Sequence, residues 1–88
     1  MTKKEALINC IENAIDYRQK YVGVLINLPK DKKELIIFQR DSYVEKMNYY
    51  DNAYTEELEL KSSNGKVNIE NFCCADSLEQ VEIELMEG

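Results

Sequence analysis

Three cysteines and a run of carboxylates are the residues of this chain with chemistry to offer. Cys10 stands alone, while Cys73 and Cys74 are adjacent. Neighbouring strand residues point to opposite faces, and a zinc site drawing on all three thiols still needs a fourth ligand. The cysteines are therefore expected to be structural, and their odd count without a framework spacing fits reduced thiols. Asp76, Glu79 and Glu82 are three residues apart and share a face if the segment is helical. Such a face could hold a divalent cation or supply acid and base groups. Carboxylates at the start of a helix also complement its dipole and keep its outer side wet, and that is the expectation here, as it is for Glu56, Glu57 and Glu59.

The absences are more decisive. The chain contains no histidine, so Ser-His-Asp and Cys-His pairs are impossible, and the usual proton carrier near neutral pH is missing. Glycine stands only at positions 23, 65 and 88, which leaves no room for a P-loop or a dinucleotide fingerprint. No enzymatic activity, cofactor or metal is expected. Tyr43, Tyr49, Tyr50 and Tyr54 could stack on bases, but stacking sites need a basic groove and these residues precede the most acidic part of the chain. Lys3, Lys4, Lys30, Lys32 and Lys33 could touch phosphates, yet Asp31 and Glu34 dilute them. Nucleic acid is disfavoured as a partner.

The elements that must position these residues follow from periodicity. Thr2-Lys3-Lys4-Glu5 has capping-box spacing, and Leu7, Cys10, Ile11, Ala14 and Ile15 recur at helical steps, with the stem of Arg18 able to extend the stripe. A helix is predicted over about residues 3–20. Val22, Val24, Ile26 and Leu28 alternate with Gly23, Leu25 and Asn27, and a polar break, Pro29 to Lys33, separates them from Leu35-Ile36-Ile37-Phe38. Two β-rich runs joined this way read as an antiparallel hairpin, with apolar residues on both faces suggesting central strands. Ser42 and Glu45 offer a second capping box before a helix over about 42–54, in which Tyr43, Met47, Tyr50 and Tyr54, with Val44 alongside, share a core face and Tyr49 points away.

Leu58 and Leu60 alternate with charged residues, as do Val67 and Ile69, and Asn64-Gly65 between them is a strong hairpin signal. A second hairpin is predicted over about 57–73. At the end, Leu78, Val81 and Leu85 fit a helix capped by Asp76 or Ser77, whereas Val81 to Leu85 also alternates as a strand would. The helix is preferred for its amino-terminal signal. The predicted fold is α+β, a single small domain over 1–88 in the order α-β-β-α-β-β-α, with an antiparallel or mixed sheet of three or four strands packed against helices.

Charge is distributed unevenly over this frame. Residues 1–50 hold nine basic against seven acidic side chains, net +2, while residues 51–88 hold two against ten, net −8. Glu5, Glu12 and Asp16 interrupt any apolar stretch near the amino terminus, and no segment has the roughly twenty apolar residues a membrane helix needs, so a cytoplasmic chain without membrane contact is expected. Lys, Asn, Ile and Tyr number 9, 8, 8 and 6, residue types whose codons are rich in A and T.

Leu35-Ile36-Ile37-Phe38-Gln39-Arg40, Tyr49-Tyr50-Asp51-Asn52-Ala53-Tyr54, Asn64-Gly65-Lys66-Val67 and the stretch from Phe72 through Leu78 together carry a resemblance. Over about residues 20–85 the chain resembles a group of small proteins encoded by phages and prophages of Gram-positive bacteria. That resemblance implies an accessory role and no particular activity. The expected function is protein–protein interaction, with Tyr49, Glu56, Glu57, Glu79, Glu82, Glu84 and Glu87 as candidate contacts for a basic surface on a host or phage protein. The alternatives are a self-associating module, in which Tyr49 and a sheet edge make a homodimer, and a small-ligand binder with a pocket between the sheet and the tyrosine helix.

Overall fold

The fold follows from one strand that is apolar on both faces. A computed structural model describes residues 1–87, and of Glu87 the backbone alone. The elements are α1 (Lys3–Asp16), β1 (Tyr21–Leu28), β2 (Lys32–Gln39), α2 (Tyr43–Ala53), β3 (Asn68–Ala75) and α3 (Leu78–Glu82), the last continued by a π-helical turn over Ile83–Glu87. The sheet is antiparallel in the order β2-β1-β3, so the α+β class holds in the order α-β-β-α-β-α. Val22, Val24 and Ile26 of β1 join Leu7, Ile11 and Ala14 of α1 and Tyr43 and Tyr50 of α2 in one buried cluster. Leu25 joins Ala75, Val81 and Leu85 in a second cluster, on the α3 side. Both clusters share β1, which makes the chain one folded body.

The capping box forms at the start of α1: the Thr2 hydroxyl accepts from the Glu5 amide at 3.1 Å, and the Glu5 carboxylate accepts from the Thr2 amide at 3.3 Å. The helix ends at Asp16, earlier than its pattern suggests. Arg18 turns left-handed (φ 55°), its amide donates to the Ile15 carbonyl and the Gln19 amide donates to the Ala14 carbonyl. This pair of bonds is a Schellman stop made without the usual glycine, so the sequence carries no sign of it. Arg18 is left outside the apolar stripe and exposed. Ser42 makes no side-chain cap on α2; a 3-10 turn over Arg40–Ser42 leads the chain into the helix instead. Val44, expected alongside the tyrosine face, is exposed, because one helical step from Tyr43 turns it away from the sheet.

β2 is an edge strand rather than a central one, and Lys32 and Lys33 belong to it rather than to the loop, which shrinks to Pro29, Lys30 and Asp31. The predicted second hairpin is corrected more substantially. Leu60 and Ile69 amides donate to the Val67 and Leu58 carbonyls at 2.8 and 2.9 Å, so the segments do fold back on one another, but the first arm forms only isolated bridges. The reason lies at Thr55, whose hydroxyl accepts from the Glu57 and Glu59 amides and holds the chain in a turn. Within that turn Leu58 is left-handed (φ 62°) and cannot continue a strand. Its side chain is buried among α1, α2 and the sheet, and that burial offsets a backbone cost of about 1–2 kcal/mol. β3 therefore pairs with β1 and with no strand of its own hairpin.

Candidate functional site

α3 is a short helix held in place by three features. The Ser77 hydroxyl accepts from the Gln80 amide at 3.1 Å, capping its start. Val81 and Leu85 are buried against the sheet, and Gly23 of β1 leaves the space they occupy. Leu78, expected to share their stripe, is instead half-exposed. Beyond α3, on the same side of the sheet, the surface is polar. There the Lys33 ammonium bridges to both Glu70 carboxylate oxygens at 2.9 Å, and the Asn27 amide donates to the Asn68 side chain. Lys33 and then Asn27 hold the Glu70 carboxyl below the usual carboxylate range.

Between α3 and the edge strand β2 lies a groove of about 490 Å³ lined by Leu35, Glu79, Glu82, Ile83 and Met86. Its apolar floor is open to solvent: Ile83 is 42% and Met86 55% exposed. Glu79 and Glu82 form a carboxylate rim above that floor. The arrangement can bind an amphipathic cationic segment, because long basic side chains lay apolar stems on such a floor while their charged heads meet carboxylates.

The other candidate residues separate from this group. Glu84 accepts from the Gln80 side chain at 3.0 Å and stands near enough to Cys73 to raise its thiol, so it is turned toward its own helix and the sheet. The side chain of Glu87 lies outside the described residues. Glu56 and Glu57 sit with α1, on the other side of the sheet. Lys4 approaches Glu56 at 3.4 Å and Lys3 approaches Glu57 at 3.9 Å, and the Thr2 side chain first, then Lys4, hold the Glu56 carboxyl below its ordinary range. Tyr49 lies on α2, half-exposed, with its ring edge-on to Tyr50 and Tyr54 and beneath the Lys46 ammonium. The space between α2 and the sheet, considered for a small ligand, is filled by Phe38, Tyr43, Tyr50 and Tyr54, whose neighbouring ring centroids are 5.6–6.2 Å apart.

Sequence patterning passes over Leu35, Ile83 and Met86. The available signal is that Ile83 and Met86 are three apart, on a helical face that the Val81–Leu85 stripe does not use. Among the described residues no three His, Cys, Asp or Glu side chains come together as a metal set, and no helix is long and apolar enough to cross a membrane. Comparison with protein-family models, with curated proteins and with solved structures returned no match.

The cysteines are half-buried parts of the packing. Burial first, then the neighbouring Cys74 of β3, pushes the Cys10 thiol of α1 up to about 12. Burial and Glu84 push Cys73 up to about 12 as well. Burial likewise raises the phenols of Tyr43 and Tyr54 to about 12, and that of Tyr50 further. Unfolded thiols and phenols, with ordinary values of 9.0 and 10.0, lose protons that the folded chain retains. The unfolded state then binds fewer protons, so stability is full below about pH 9 and falls as pH rises toward 12. Alkaline titration should show tyrosinate absorbance from these three residues rising together with loss of helical circular dichroism. Their ionisation well before unfolding would contradict this packing.

Proposed function

We propose that this protein is a non-enzymatic accessory protein that binds another protein through the α3 face, and that its partner presents a basic surface. The observation that carries this reading is the groove beside β2, where Leu35, Ile83 and Met86 form an apolar floor and Glu79 and Glu82 form an acidic rim. Apolar area supplies affinity and the carboxylates supply partner choice and association rate. The net charge of −6 extends the attraction beyond contact distance. A phage or prophage context, in the cytoplasm of a Gram-positive host, is supported by the resemblance of residues 20–85. The basic surface could be one that otherwise holds nucleic acid, which a carboxylate rim would imitate.

Affinity capture from host lysate with the wild-type protein and with Glu79→Gln/Glu82→Gln tests this reading. Both side chains are exposed, so the double variant should keep its melting temperature within a few degrees. The partner is expected to be lost or retained at least tenfold less tightly, and the interaction should weaken with added salt. Partners unchanged by the double substitution would overturn the proposal.

A further inference from the structure

We infer that the partner engages as an added β-strand, an extended segment of alternating basic and apolar residues that pairs with the open edge of β2 over Leu35–Gln39. This rests on the proposed binding face and specifies how it is used. β2 hydrogen-bonds to β1 on one side and has no strand partner on the other among the described residues. The two sheet edges differ in how they are protected. β3 carries Glu70 at a register shift opposite Leu25 and Ile26, and Glu59 bridges to Asn68 at its start. Bulges, charges and covering segments are the usual means of keeping an edge from pairing. β2 has charges only at Lys32, Lys33 and Glu34, whereas Leu35-Ile36-Ile37-Phe38-Gln39 has neither charge, proline nor bulge. The unprotected half is the half that reaches the groove, since Leu35 lines it.

A strand added there would alternate its side chains between the two sides of the sheet. Residues on the α3 side would lie over Leu35 and Met86 and reach Glu79 and Glu82, which selects lysine or arginine. Residues on the other side would lie beside the half-buried Ile36, which selects apolar types. The same charges disfavour a second copy of this chain: pairing two β2 edges would bring two chains of net charge −6 together with their carboxylate rims beside the shared edge.

The probe is a capped eight-residue peptide of alternating lysine and valine, compared with the same peptide N-methylated at every amide. Methylation keeps charge and side chains but removes every donor a strand needs. Backbone amide exchange and chemical shifts of the full-length protein report the outcome. The unmodified peptide is expected to slow exchange at several amides in Leu35–Gln39 at least tenfold, and the methylated peptide to bind at least tenfold more weakly. If both peptides bind alike and shift only Glu79, Glu82 and their neighbours, strand addition is wrong and the acidic-groove reading stands. If neither peptide shifts any of these residues, both fail. Slowed exchange at Leu35–Gln39 that grows with protein concentration alone, with a matching dimer in sedimentation, would overturn the inference in favour of self-pairing.

Discussion

Gly23→Val is expected to detach α3 from the sheet and to abolish binding at the groove. A Cβ at position 23 would collide with Val81 and lie 3.0 Å from Leu85, the residues that α3 and its π-helical continuation bury. Overpacking of this kind costs about 1–3 kcal/mol, and a branched side chain lies at the upper end. α3 has only five residues and one side-chain cap, so it has little independent stability with which to resist. Amide exchange should therefore accelerate first over residues 78–86, with the α1 and α2 core protected, and the melting temperature should fall by roughly 5–20 °C. Unchanged exchange in 78–86 would show that the contact is not tight. Gly23→Ala should give the same pattern with a smaller shift.

Lys4→Met is expected to be as damaging, although position 4 reads as an ordinary exposed lysine in a first helical turn. Its ammonium is nearly buried and donates to the Asp51 carbonyl at 2.9 Å and the Tyr54 carbonyl at 3.1 Å, at the end of α2. Its backbone amide, one of the unpaired donors at the start of α1, donates to the Glu56 carbonyl at 3.1 Å. One residue thus closes the start of one helix and the end of another, where a positive charge also meets the negative end of the α2 dipole. Methionine keeps the stem and loses the charge-assisted bonds, leaving carbonyls unpaired at a cost of about 2–4 kcal/mol. That corresponds to a melting temperature lower by roughly 10–25 °C. Glu56→Gln, which removes an exposed carboxylate 3.4 Å from the ammonium and leaves both carbonyl bonds in place, should change the melting temperature far less. Equal losses in the two variants would assign the effect to the ion pair rather than to the carbonyls.

Legibility in the sequence follows the range of the interactions concerned. Thr2 with Glu5, the tyrosine face of α2 and the alternation in β1 are set by neighbours a few residues apart, and the chain displays them directly. The Arg18 stop and the Thr55 turn are also local, but they use left-handed arginine and leucine in place of glycine, so composition hides them. The seat of α3 was half visible: a glycine inside a strand marks the close approach of another element, yet nothing nearby says which one. The groove itself joins Leu35 to Ile83 and Met86 across almost fifty residues, and only the packing of α3 against β1 brings them together. The same packing separates carboxylates that are close in sequence, leaving Glu56 and Glu57 with the α1 lysines and Glu79 and Glu82 at the rim. The carboxylates of the acidic half therefore divide between the two sides of the sheet, with Glu56 and Glu57 beside lysines of α1 and Glu79 and Glu82 without a basic partner among the described residues.

A photoreactive benzoylphenylalanine placed at Met86, in the cell that produces the protein, interrogates the open surface in place. It should crosslink a partner through a lysine- or arginine-bearing segment, and the product should disappear when Glu79 and Glu82 are replaced by lysine. The same probe at Val44, 62% exposed on α2, should capture nothing in common with it. Capture of the partner at Val44 and not at Met86, or capture at Met86 that survives the charge reversal, would contradict the assignment of this groove as the binding face.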